Sequence, residues 1–122
     1  MCRIPVLIVL TAFLRGMPFE PCCAAGEPKL QIDAGFPGGN IVVDKIKGDD
    51  VYPHQGLRDT AGDWFFWHFR VRGGHGRTLT FHFTKSNPIG VHGPAISADA
   101  GKSWQWLSAQ AVRGASFHFD LP

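Results

Sequence analysis

Polar and apolar positions alternate with a period of two wherever the chain is hydrophobic enough to show a pattern. The clearest case is residues 78–84. Leu79, Phe81 and Phe83 fall on one side, and Thr78, Thr80, His82 and Thr84 on the other. That spacing predicts a strand with one face in a core and one toward water. Just before it, residues 64–71 read WFFWHFRV, the strongest strand pattern in the chain. Its alternation places Phe65, Trp67, Phe69 and Val71 inward and Trp64, Phe66, His68 and Arg70 outward.

Shorter strands are expected at residues 30–33, 41–43, 51–52, 89–91, 95–97 and 116–121, with Pro53 ending or edging the third of these. The segments between them carry turn chemistry: Phe36-Pro37-Gly38-Gly39-Asn40, Lys47-Gly48-Asp49-Asp50, the glycine-rich residues 72–77, Lys85-Ser86-Asn87-Pro88 and Asp99-Ala100-Gly101-Lys102. No segment sustains a helical period, and no internal repeat is visible. The expectation is an all-β chain: an antiparallel β-sandwich of about 7–9 short strands.

The first 25 residues follow another pattern. Arg3 precedes an apolar run over residues 4–14, and small residues follow at Cys23-Ala24-Ala25-Gly26. The run is too short for a membrane-crossing helix, which needs about 20 residues. It suits the apolar part of a signal peptide cleaved after Ala25. The reading is therefore a signal peptide at 1–25, an exported (periplasmic or extracellular) product, and one β-sandwich domain at 26–122. Because the sequence stops directly after a strand, that domain is read as truncated at its C-terminus.

Composition narrows the function classes. Ten Phe and four Trp stand among fifteen Gly and nine Pro, and the formal charge is only +2. The basic residues are scattered, so a nucleic-acid partner is not expected. All three cysteines (Cys2, Cys22, Cys23) lie in the leader, which leaves the mature domain without a disulfide framework or a thiolate site. Lipidation is not expected, because Glu20-Pro21 precede Cys22.

Candidate chemistry is sparse. The six histidines (His54, His68, His75, His82, His92, His118) lack zinc-binding spacing, and no His-Glu-x-x-His occurs. An antiparallel register could set His68 opposite His82. With no third ligand, the pair reads as sheet surface. No Gly-x-Ser-x-Gly elbow is present, no pair of carboxylates is singled out for glycoside hydrolysis, and the double glycines read as turns. Neither catalytic nor metal-binding residues are assigned. Ser97-x-Asp99-x-Gly101-x-Ser103-Trp104 resembles an Asp-box, a hairpin turn in which the Asp caps backbone amides over the Trp. One copy cannot build a propeller, so it is read as a turn staple.

An outward face of Trp64, Phe66, His68 and Arg70, with His82, is unusual for a solvated sheet. It fits an interdomain interface, a sugar-binding aromatic platform, or a strand covered on both faces by the domain's own loops.

Phe36-Pro37-Gly38-Gly39-Asn40-Ile41, Leu57-Arg58-Asp59-Thr60 and Asp63-Trp64-Phe65-Phe66-Trp67-His68-Phe69-Arg70-Val71-Arg72-Gly73, followed by Phe81-His82-Phe83-Thr84-Lys85-Ser86-Asn87, Val91-His92-Gly93-Pro94-Ala95-Ile96-Ser97 and Trp104, resemble the N-terminal domain of cytosolic-type zinc carboxypeptidases. The resemblance spans about residues 36–107 and is most specific in the tryptophan-rich strand. It departs from the family in a shortened Gly–Pro spacing and in the export-like leader, which makes a bacterial exported relative the more natural comparison. It implies an antiparallel sandwich packed on a catalytic domain that removes C-terminal residues from peptides. Gly39, Asn40, Asp99, Gly101 and Trp104 would be its structural turn residues. In such enzymes zinc is held by His-x-x-Glu and a later His. No His-x-x-Glu occurs here, so zinc and catalysis would belong to the missing domain, the chain's expected partner in cis. The alternatives are a stand-alone secreted binding module for carbohydrate or protein, and a residual gene fragment.

Overall fold

A computed structural model describes residues 26, 28–57 and 66–122. The signal-peptide reading at 1–25, and the residues Trp64 and Phe65, lie outside the described residues. The described chain is all-β. Its strands are β1 (Gln31–Asp33), β2 (Val42–Lys47), β3 (Asp50–His54), β4 (Arg70–Arg72), β5 (Thr78–His82), β6 (Ala95–Ile96), β7 (Gln105–Trp106), β8 (Val112–Arg113) and β9 (Ser116–Asp120), with one 3-10 turn at Ala109–Ala111. No helix among the described residues is long and apolar enough to cross a membrane.

Five strands form the main sheet in the order β2-β3-β5-β9-β8, while β1-β4 and β6-β7 form two-stranded ribbons. Every pairing is antiparallel except β3 with β5, which is parallel. The β2–β3 hairpin turns at Gly48, whose φ of 62° suits a residue without a Cβ. Asp44 is the extra residue of a bulge between Val43 and Lys45. Pro53 does not edge the sheet as expected: it is fully buried within β3, between β2 and β5. The parallel ladder pairs only Asp50 and Val51 with β5, and the bulge lies between Pro53 and Tyr52 on the other side. The missing N–H of Pro53 thus falls where neither ladder is regular.

The alternation read at 78–84 holds. Leu79, Phe81 and Phe83 are buried with Val51 and Phe117 in the core. The second layer is built from β1, β4 and the segment before β4. Leu30, Ile32, Trp67, Phe69 and Val71 pack down on that core. Trp67 stacks at 5.8 Å on Phe69 and on Phe117, and Phe81 stacks on Phe117 at 4.9 Å. Two apolar faces closed on one aromatic core make a sandwich-like arrangement.

The strand expected over 64–71 is shorter than its pattern. Only Arg70–Arg72 pairs continuously, with Gln31–Asp33. The next contact is an isolated bridge between His68 and Asn40. Between Asp33 and Asn40 the partner backbone leaves the ladder through a turn, closed by Gly39 N–H to the Phe36 carbonyl at 2.8 Å, so among the described residues the ladder does not continue past the His68 bridge. The side-chain alternation survives all the same. Residues 89–91 also fail to form a strand. The Asn87 side chain caps the Ile89 amide at 3.1 Å, and Gly93 turns back on Gly90. β5 is flanked on both sides by β3 and β9, so His68 cannot pair opposite His82. The two histidines point away from the core on opposite sides of the sandwich.

Candidate functional site: an aromatic row and its hairpin

The outer side of the second layer is organised by one buried side chain. Asn40, 6% exposed, donates from Nδ2 to the carbonyls of Phe66 (2.7 Å) and Gly56 (3.2 Å), and its Oδ1 accepts the Gly56 amide at 3.1 Å. Its backbone pairs with His68 in both directions. One residue thus fixes the segment that presents Phe66 and His68. Gly39 is required beside it, because a Cβ there would sit 2.1 Å from the Ala34 carbonyl oxygen.

From this anchor a row of rings runs across the surface. His68 meets Phe36 edge-on at 4.9 Å and Trp104 at 5.7 Å. The Arg70 guanidinium lies 4.3 Å over the Phe36 ring and donates to Asp33 at 2.7 Å. The Asp33 carboxyl is held below its ordinary value, first by the Gly35 amide and then by Arg70. Phe66 is 45% exposed.

The β6–β7 hairpin extends the row, and its turn has the geometry expected of the Asp-box. Asp99 accepts from the Ser103 amide (2.8 Å), the Ser103 hydroxyl (2.5 Å) and the Ser97 hydroxyl (2.8 Å), while Ser97 Oγ accepts the Gly101 amide. The Ser103 hydrogen bonds, followed by Ser97, hold the Asp99 carboxyl down at about 2. The φ of 85° at Gly101 closes the turn. Trp104 donates from Nε1 to the Gly101 carbonyl at 3.2 Å, so its indole lies along the turn and reaches His68. Trp106 stands two positions further on, with His92 at 5.7 Å. The two indoles are 53% and 64% exposed. A hollow of about 310 Å³ is lined by Ile96, Ala98, Asp99, Ser103, Trp104 and Gln105. A smaller one, about 150 Å³, is lined by Ala95, Trp104, Gln105 and Trp106.

Of the residues read from the sequence as one interface, Phe66, His68 and Arg70 share this surface, and Trp64 lies outside the described residues. His82 is elsewhere. On the outer face of the main sheet it bonds Asp50 at 2.8 Å and Ser116 at 2.9 Å, with Tyr52 stacked at 4.9 Å and Lys45 over the Tyr52 ring. The Asp–His–Ser order suggests a nucleophile, but all three belong to adjacent strands of one sheet face. Neither hollow adjoins them, so they read as a cross-strand hydrogen-bond chain. Among the described residues no group of three or more His, Cys, Asp or Glu converges on a possible metal position.

Phe36, His92 and Trp106 were not assigned to the interface from the sequence. Trp104 and Trp106 did carry a signal, the same period of two that marks the strands, just after a turn staple. Phe36 joins the row only because the excursion between Asp33 and Asn40 brings it over His68, which no local pattern encodes. No protein family, no curated protein and no solved structure matches the chain.

Proposed function

We propose that the chain is a non-catalytic folding and docking domain of an exported zinc metallocarboxypeptidase, inactive alone, whose partner catalytic domain would carry the zinc. The observation that supports this best is the aromatic row. Phe36, His68 and Trp104 are held by backbone pairing, a buried asparagine and a stapled turn, yet they lie on the outside of the sandwich. Rigid aromatic side chains with an arginine are the composition of an interface core rather than of a solvated sheet. The resemblance noted in the sequence is compatible with this role, because several of its residues (Gly39, Asn40, Trp67, Trp104) serve the fold and not a reaction. The leader read at 1–25 supports export.

The test has two arms. Purified mature chain supplied with zinc is expected to release no C-terminal residue from a peptide. The genomic frame beside it is expected to encode His-x-x-Glu and a later His, and the product of that frame to bind the chain. Peptide trimming by the chain alone, or a neighbouring frame without those motifs, counts against the reading. A stand-alone binding module is the second reading, favoured by the two exposed indoles on the hairpin, and glycan-array binding by the purified chain would support it.

A further inference from the structure

An open sheet edge offers unpaired N–H and C=O groups to any extended segment, above all to a second copy of the same chain. The main sheet ends in β2 on one side and in β8 on the other. β8 has only two residues, and the strands of the two ribbons have two or three each. β2 is different. It has six residues, and among the described residues it pairs with β3 alone. Val42 and Ile46 are 46% and 44% exposed, and the register puts them on opposite faces. Val42 stands opposite His54 on the outer face, and Ile46 opposite Val51 on the core face. A strand rich in β-branched residues, apolar on both faces and free of proline and glycine, has the composition that extends sheets from one molecule to the next.

Asp44 interrupts that strand. The pairs Val42–His54 and Val43–Pro53 lie on one side of the bulge, and Lys45–Tyr52, Ile46–Val51 and Lys47–Asp50 on the other. Without Asp44, five residues would stand opposite the five of β3 and alternate without a break. With it, the outward N–H and C=O groups lose their two-residue repeat in the middle of the edge. The pieces left regular are two and three residues long, which blunts pairing with another strand. The extra residue is also fastened. Its carboxylate accepts from the Thr84 hydroxyl at 2.6 Å and from His54 Nδ1 at 3.1 Å. These bonds, Thr84 first, hold the carboxyl below its ordinary value. Asp44 is thus drawn across β3 to the residue after β5, which keeps the irregularity from sliding along β2. Of the two lysines, Lys45 is folded back on its own sheet, with Nζ 4.4 Å over the Tyr52 ring. Charge repulsion at the edge falls mainly to Lys47, beside the turn.

We infer that the Asp44 bulge is a device that closes the β2 edge, so that a second copy of this chain cannot extend the main sheet through it. This closure depends on the sheet alone, whatever the aromatic row contacts.

Three forms of the mature chain test it by sedimentation and by amide exchange at several protein concentrations. They are wild type, the variant Lys45→Thr with Lys47→Thr, and the same double variant with Asp44 deleted. Urea unfolding midpoints and the exchange of β5 and β9 show whether each form is folded. In wild type and in the double variant, β2 amide exchange is expected to be independent of concentration. The deletion form is expected to sediment at about twice the wild-type mass or more, with β2 amides increasingly protected as concentration rises. Concentration-dependent protection of β2 in either form that keeps the bulge would overturn the inference, because the bulge would not then close the edge. A folded deletion form that stays monomeric, with β2 unprotected, would overturn it as well. The double variant keeps every backbone pair of the hairpin, so its pairing through β2 would decide the matter without the deletion.

Discussion

Asn40 shows how much of this surface depends on a single side chain. Buried amides are tolerated when their hydrogen bonds are satisfied, and Asn40 satisfies two carbonyls and one amide from segments 16 and 26 residues away. Ala at this position would leave all three partners without their bonds in a part-buried site. Asn40→Ala is therefore expected to lower the unfolding free energy by about 3 kcal/mol in urea titration. Asn40→Asp tests the same geometry electrostatically. The Gly56 amide would still find an acceptor, but a carboxylate oxygen would face the carbonyls of Gly56 and Phe66. The charged form is disfavoured in the fold, so the folded pKa of the new carboxyl lies above its unfolded value. Its destabilisation should be full at neutral pH and shrink as pH falls through that raised pKa. A loss at pH 7 smaller than that of Asn40→Ala would show that the amide protons of Asn40 contribute little.

At the scale of elements, the β6–β7 hairpin depends on its turn more than on its strands. Two pairs of residues make its ladder, and isolated ribbons of this size are marginal in water. The Asp99 staple supplies what the ladder lacks. Its carboxyl sits at about 2, below the ordinary 3.8, because the ionised form accepts from Ser103 and Ser97. The sign follows directly: a depressed folded pKa means stabilisation that is complete above the unfolded value and is lost as pH falls through about 2. Amide exchange at Ser103 and Gly101, corrected for intrinsic rates, should show protection at pH 5 and lose it toward pH 2. Asp99→Asn should reduce that protection at neutral pH, with the exchange of β5 and β9 unchanged. Exchange at Ser103 that is the same in wild type and variant would remove the staple from the account.

This element was also the most legible in the sequence. Its spacing of Ser, Asp, Gly, Ser and Trp is local chemistry, and local chemistry is what a sequence states directly. The period-2 pattern of Leu79, Phe81 and Phe83 was readable for the same reason. Partnership between strands was not. Nothing at Val51 or Phe81 announces a parallel pair, and nothing in residues 64–71 shows that the backbone opposite departs after Asp33. His82 was placed with His68 because both lie on outward positions. Alternation fixes which side of its own strand a residue takes, but not which of two sheets the strand belongs to.

For the whole molecule, the governing fact is how few of the described residues close the core between the layers. The fully closed part of the core is Val51, Leu79, Phe81, Phe83 and Phe117, and its strands come from distant parts of the chain. Phe81 is central. It is 2% exposed, stacks on Phe117 at 4.9 Å and meets Phe69 of the opposite layer at 5.2 Å. Removing its ring would leave a cavity bounded by both layers, at about 3–5 kcal/mol. Domains of this size commonly have only about 5–15 kcal/mol in hand, so Phe81→Ala is expected to lower the urea midpoint sharply and to populate unfolded chain at 37 °C. Phe66→Ser is the contrasting case, because that ring is on the surface and only its backbone carbonyl serves the Asn40 anchor. It should unfold within about 0.5 kcal/mol of wild type. Equal losses for the two variants would mean that the ring of Phe66 belongs to the core and that the outer row is not a free surface. A large loss for Phe81 alone would separate the residues that make the sandwich from those it displays.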